Sequence, residues 1–236
     1  MLELLAFGPA GWGDEMLRGA ATTIAVAVAA FSLGLIFGSL GAWAKLSANR
    51  PAVWAAEIYT TVARGVPELL VIYLLFFGGG AAATAFGRLF GYDGFVEIDA
   101  FTIGAIAVGL ISGAYSTEVI RGAARAVPKG QLEAARACGM SPLLAFRRVM
   151  VPQTLRYALP GLGNVWQLTL KDTALVSVTA LAEIMRMANV AANSTRQPFI
   201  FYMAAMLLYL ALSTGSSFLF ERAERRSLRG VRRAAA

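Results

Sequence analysis

Histidine is absent from the 236 residues. Its absence excludes imidazole metal sites, Ser-His-Asp or Cys-His catalysis and histidine pH switches. The lone cysteine, Cys138, excludes an internal disulfide and any CxxC site. Charge is scarce: only 15% of residues are charged, against roughly 25% in ordinary globular domains. Hydrophobic residues fill the difference at 58%, and mean hydropathy is +0.62. Basic residues outnumber acidic ones by 21 to 14, a net charge of +7 that must sit outside the apolar stretches. These are the proportions of a membrane protein.

Charge-free runs mark the segments that suit hydrocarbon. Between Arg18 and Lys45 there are 26 positions without an ionisable residue. As helix they reach about 39 Å, more than the roughly 30 Å of a bilayer core. A signal peptide is the competing reading. The run is too long for one, Asp14 and Glu15 precede it, and no A-x-A cleavage site ends it cleanly. A second span is expected over residues 51–77, interrupted by Glu57, Arg64 and Glu68. Residues 78–99, with three consecutive glycines and several charges, read as an exposed loop. A third span begins near Phe101, a fourth covers about 155–179, and a fifth covers 197–220. Residues 180–196 read as a short surface helix. The expected organisation is all-α: an outer N-terminal segment 1–18, five spans within 19–220 and a basic tail 221–236.

Orientation follows from the excess of Lys and Arg on the cytoplasmic side. With the N-terminus outside, 15 of the 21 basic residues fall in three cytoplasmic pieces, at 45–50, 121–156 and after 221. The C-terminus is then inside. The basic tail is better explained by topology and anionic lipid than by nucleic acid.

The longest cytoplasmic piece, with its centre at about 125–152, is patterned. Pro128 suits a helix start, Glu133 to Ala137 are good helix formers, and Gly139 can end the helix in left-handed conformation. Ser141-Pro142 reads as the N-cap and first residue of another helix, expected to run to Met150 and break at Pro152. Ala134 and Ala135 leave room for another protein to approach closely.

Glu133-Ala134-Ala135 with Gly139 and Val149-Met150-Val151-Pro152 resembles the EAA loop of ABC importer permeases. Arg64-Gly65-Val66-Pro67-Glu68, Tyr115-Ser116-Thr117-Glu118 and Lys171-Asp172-Thr173-Ala174 are similar to the polar amino-acid branch. The 44–50 segment, Glu57-Ile58-Tyr59 and Arg156-Tyr157-Ala158 look like Q-type subunits of histidine/lysine/arginine/ornithine and related opine importers. The resemblance runs from about Gly19 to Arg226. It implies a type I ABC importer permease fold in a bacterial inner membrane. It further implies coupling to a cytoplasmic ATPase dimer through Glu133, Ala134, Ala135 and Gly139. A sister M-type permease and a periplasmic solute-binding protein complete the expected assembly. The chain has no G-x-x-x-x-G-K-[ST] phosphate loop, so it is not expected to be an enzyme. ATP and Mg belong on the partner, and no cofactor or metal is expected in this chain. A passive channel or ion-coupled transporter is the alternative, and an intramembrane enzyme lacks catalytic motifs.

Charges inside spans are functional by default, because burial is costly unless they are paired or wetted. Arg64 is read either as an ion pair with Glu68 or as a contact for an amino acid's α-carboxylate. Lys171 has the same two readings, with Asp172 as its neighbour. Glu118 either meets the cationic groups of a substrate or pairs with Arg121. Thr173 lines a polar path or bonds back to its own helix.

Overall fold

The computed structural model describes residues 2–8, 11–92, 94 and 96–228. Arg229, Arg232 and Arg233 of the basic tail, and Asp93 of the expected loop, lie outside the described residues. Among the described residues, nine α-helices carry the fold: α1 (Gly13–Leu46), α2 (Arg50–Gly65), α3 (Glu68–Arg88), α4 (Ala100–Ala126), α5 (Lys129–Ala137), α6 (Pro142–Ala145), α7 (Val151–Asp172), α8 (Ile184–Thr195) and α9 (Pro198–Ser227). Among the described residues, α1, α3, α4 and α9 are each long and apolar enough to cross a membrane. A fifth span results when the segment Pro142–Thr179 and α8, bent by 49° at their junction, count as one. The first helix takes in positions 13–18, and the last extends to Ser227 past the expected boundary at 220.

Three expectations about local structure are corrected. The single span over 51–77 is two helices, because Val66 and Pro67 are extended, with ψ 139° and 130°. Proline pushes the residue before it out of the helical region, and the break follows. Helix α3 then runs to Arg88, so the loop expected from Gly78 begins only after it. Glycine weakens helices in water, but in hydrocarbon an unpaired peptide group costs more than the glycine does. Pro152 does not break its helix either. A π-turn over Phe146–Met150, closed by the Val151 amide on the Phe146 carbonyl, joins α6 to α7. The wider turn accommodates the ring and the missing amide donor.

The frame is built on a seam of small residues between α1 and α4. A Cβ on Gly34 would lie 2.6 Å from Ser112 Oγ, and one on Gly38 would lie 2.5 Å from Ser116 Cβ. Such small-residue seams let helix backbones approach closely where the hydrophobic effect gives no help. Gly38→Leu is therefore expected to separate the helices and cut the yield of monodisperse protein several-fold in fluorescence size-exclusion profiles. Gly215→Leu, whose Cβ would meet nothing within 4 Å, should leave the profile unchanged.

Helix α8, expected on the surface, is packed into the bundle. Ile184, Ala188, Ala191 and Ala192 are buried against Met16, Ala20, Phe201 and Ala205 of α1 and α9. Its N-terminus is capped by the fully buried Glu183, which accepts from the amides of Met185 (2.9 Å) and Arg186 (2.6 Å) and from the Tyr209 hydroxyl (3.0 Å). Outside the spans, Asp99 caps α4, and the Thr102 hydroxyl and amide hold its carboxyl below the usual range.

Candidate functional site

The loop between α4 and α7 folds as its residues require. Helix α5 ends in a six-residue closure: the Gly139 amide donates to Arg136 O (2.9 Å) and the Met140 amide to Ala135 O (3.1 Å). Gly139 has φ +77°, the left-handed conformation that closes such a motif. Ser141 then caps α6, accepting from the Leu144 amide, with Pro142 in the first turn. Glu133, Ala134 and Gly139 are exposed, as is Cys138. Ala135 is 5% exposed, so of the two alanines only Ala134 offers its surface to a partner.

Several chain ends gather on the side of this loop. Lys45 at the end of α1 bonds to Glu118 of α4, eight residues short of that helix's own end. Arg156 near the start of α7 donates to the Ser227 carbonyl at the end of α9 (2.8 Å). The C-terminal ends of α1, α4 and α9 therefore lie at the same end of the bundle as the α5–α6 loop, and most of the described basic residues lie there with them.

A second set of polar residues lies at the broken helices. Glu68 opens α3 just past the Val66–Pro67 break, and Asp172 ends α7 where the chain tightens into a 3-10 segment, Thr173–Thr179. The two carboxyl groups lie close enough for their charges to interact. Breaks of this kind place charged groups at helix ends, a recurring way to build a polar site inside a bilayer. Arg64 does not pair with Glu68; its guanidinium lies over the Tyr115 ring of α4 at 5.5 Å. Lys171 is exposed, and neither Lys171 nor Arg64 makes a salt bridge among the described residues.

The other two candidates have internal partners. Both oxygens of Glu118 are engaged, Oε1 by Lys45 (2.6 Å) and Oε2 by Arg121. Thr173 is fully buried and donates to the Leu170 carbonyl (2.7 Å). The facing of Glu68 and Asp172 had no local signal, because 103 intervening residues separate the two acids. Lys45 was legible as the end of an uncharged run and as a basic residue of the 45–50 piece, but not as a partner of Glu118.

Similarity to known proteins agrees with this architecture. Residues 30–229 match the family described as binding-protein-dependent transport system inner membrane component. The octopine transport system permease protein OccQ of Rhizobium meliloti is 54% identical, over 98% of this chain and 98% of its own length. The histidine/lysine/arginine/ornithine permease protein HisQ of Salmonella typhimurium is 43% identical, over 95% and 98%. Among solved structures, an amino acid ABC transporter with histidines aligns with TM-score 0.77 at 32% identity, covering 91% of this chain and 95% of that one.

Proposed function

The chain belongs to the family of binding-protein-dependent transport system inner membrane components, and from that premise we infer that it is the permease subunit of an ABC importer for basic amino acids or opines. The observation that carries the substrate class is the facing of Glu68 and Asp172 at two helix breaks. Two adjacent carboxyls in a low-dielectric setting attract an ammonium or guanidinium group. Arg64, four residues before Glu68, and Lys171, beside Asp172, make no salt bridge among the described residues and supply cations for the substrate's carboxylate. Glu118 and Thr173 support this path from behind, through Lys45 and through the turn that begins the 3-10 segment.

A cytoplasmic ATPase dimer, holding ATP and Mg, receives the exposed face of α5, with Glu133, Ala134 and Gly139 at the contact and Ala135 locking the helix to its own loop. An external solute-binding protein delivers substrate. A sister permease of the M type completes the path, because four or five spans form one wall of a channel rather than its circumference. ATPase closure presses on α5 and turns the pair outward; its reopening returns the pair inward and releases substrate.

The N-terminus lies outside and the C-terminus inside, with most of the described basic residues at the α5 end of the bundle. A reporter fused after Ala236 should be active only in the cytoplasm, and one inserted in residues 89–99 only in the periplasm. The opposite pattern would overturn the orientation. The assignment as a whole is tested by purifying the tagged chain from cells expressing the full gene set. The ATPase subunit should co-purify with it, and a chain that purifies alone under mild detergent would count against the importer.

A further inference from the structure

Lys45 is the one charged residue in the last turn of α1, and its side chain is only 2% exposed. Its ammonium has three donors; it makes hydrogen bonds to two oxygens on other helices and an ion pair with a third. Thr60 Oγ1 (2.7 Å) and Glu57 Oε2 (2.9 Å) lie on α2, and Glu118 Oε1 (2.6 Å) lies on α4. The second oxygen of Glu118 is held by Arg121, one turn further along α4, with Nε at 3.0 Å. Two cations and two carboxylates make the cluster neutral. It draws on three helices, joining residues 73 positions apart in sequence.

The cluster is asymmetric. The Glu118 side chain is 21% exposed and the Glu57 side chain 55%, so the arm towards α4 is the drier and the arm towards α2 the wetter. Helix α2 has little else to hold it. Only Ala56 and Thr60 are buried in it, Tyr59 adds a hydrogen bond to the Leu110 carbonyl of α4 (2.6 Å), and Arg64 lies over the Tyr115 ring of α4. What the two arms lead to matters more. Beyond Arg121, α4 ends at Ala126 and the chain passes directly into α5. Beyond Thr60, α2 carries Arg64, ends at Gly65 and passes through the Val66–Pro67 break into Glu68.

We propose that Lys45 is a positioning residue for energy coupling, tying the helix that leads to the ATPase-docking loop to the helix that leads to the acid pair in the substrate path. Coupling between distant sites is carried by contiguous packed and charged contacts of this kind. A shift of α5 moves the end of α4, Glu118 carries Lys45 with it, and Lys45 carries α2 through Glu57 and Thr60. The Val66–Pro67 break converts that movement into a displacement of Glu68 relative to Asp172. Glu57 is the arm that can exchange its partner for water during the cycle. This role rests on the reading of the chain as an ATP-driven permease.

The test uses the whole importer in proteoliposomes and reads ATP hydrolysed per amino acid taken up, with assembled complex quantified alongside. Lys45→Met should raise that ratio about tenfold, within the roughly 5–150-fold range of coupling between sites, while the complex still assembles. Lys45→Arg, which keeps the charge and reaches both carboxylates, should return the ratio close to wild type. Glu57→Gln, at a half-exposed position that tolerates the change, should raise it by a smaller factor. If Lys45→Met fails to assemble, Glu57→Gln decides: a raised ratio upholds the role, and an unchanged one overturns it. Uptake and complex falling in parallel at constant ratio would make the cluster a structural tie only and overturn the role too. A wild-type importer without ATP-driven uptake would overturn the permease reading and this role with it. An active wild type whose ratio the variants leave unchanged overturns the role alone.

Discussion

Replacing Gly139 with valine is expected to reduce uptake about tenfold or more while leaving the permease in the membrane. The closure of α5 needs φ +77° at this position. Holding a residue with a Cβ there costs roughly 1–2 kcal/mol, and a β-branched side chain lies at the unfavourable end. A penalty of about 1.4 kcal/mol already corresponds to a tenfold change in the docked population. Space is not the obstacle, since a Cβ on Gly139 would meet nothing within 4 Å. The loss therefore comes from the backbone alone. Gly139→Asn, which tolerates the left-handed region, should retain most activity. Glu133→Lys leaves the turn intact and reverses a charge on the exposed face, so it should weaken ATPase recruitment without altering membrane insertion. The measurements are co-purified ATPase and uptake of labelled substrate. Wild-type values for both Gly139→Val and Glu133→Lys would remove α5 from the docking surface.

The second large effect is expected at the acid pair. Asp172→Asn or Glu68→Gln removes one of the two carboxyl groups facing an incoming cation. A hydrogen bond to a charged group is worth roughly 1.5–3 kcal/mol, so uptake of a basic amino acid should fall about ten- to a hundredfold. Neither change alters side-chain volume appreciably, and assembly should stay near wild type. Arg64→Ala and Lys171→Ala should also weaken uptake with assembly intact, since neither side chain makes a salt bridge among the described residues. Uptake that survives both acid substitutions unchanged would move the substrate contacts elsewhere in the bundle.

The contrast between these two sites explains what sequence reasoning could reach. Gly139 was legible because its signals are local: a proline at the helix start, good helix formers, then a glycine and a Ser-Pro cap within fifteen residues. The spans were legible for the same reason, as long uncharged runs. The break at Val66–Pro67 was also written in the chain, but the apolar residues on both sides favoured one continuous span. The glycines at 78–80 suggested a loop because their helix penalty is a penalty in water. Pairings across the bundle leave no such trace. Glu118 has Arg121 three residues away as a visible partner, and nothing nearby announces Lys45. Glu68 pointed to Arg64 by helical spacing, yet the break rotates it out of that register and towards Asp172.

The most direct test of the account is ATP-dependent uptake by the reconstituted importer. Proteoliposomes would contain this chain, the proposed second permease and the ATPase, with solute-binding protein added on the outer face. Labelled arginine, histidine, lysine, ornithine and octopine would be offered singly and in competition. Accumulation of at least one against its gradient, abolished without ATP and by loss of the ATPase subunit, is the predicted result. Equilibration of the label at the same rate with and without ATP would contradict it, and would identify a passive pore instead.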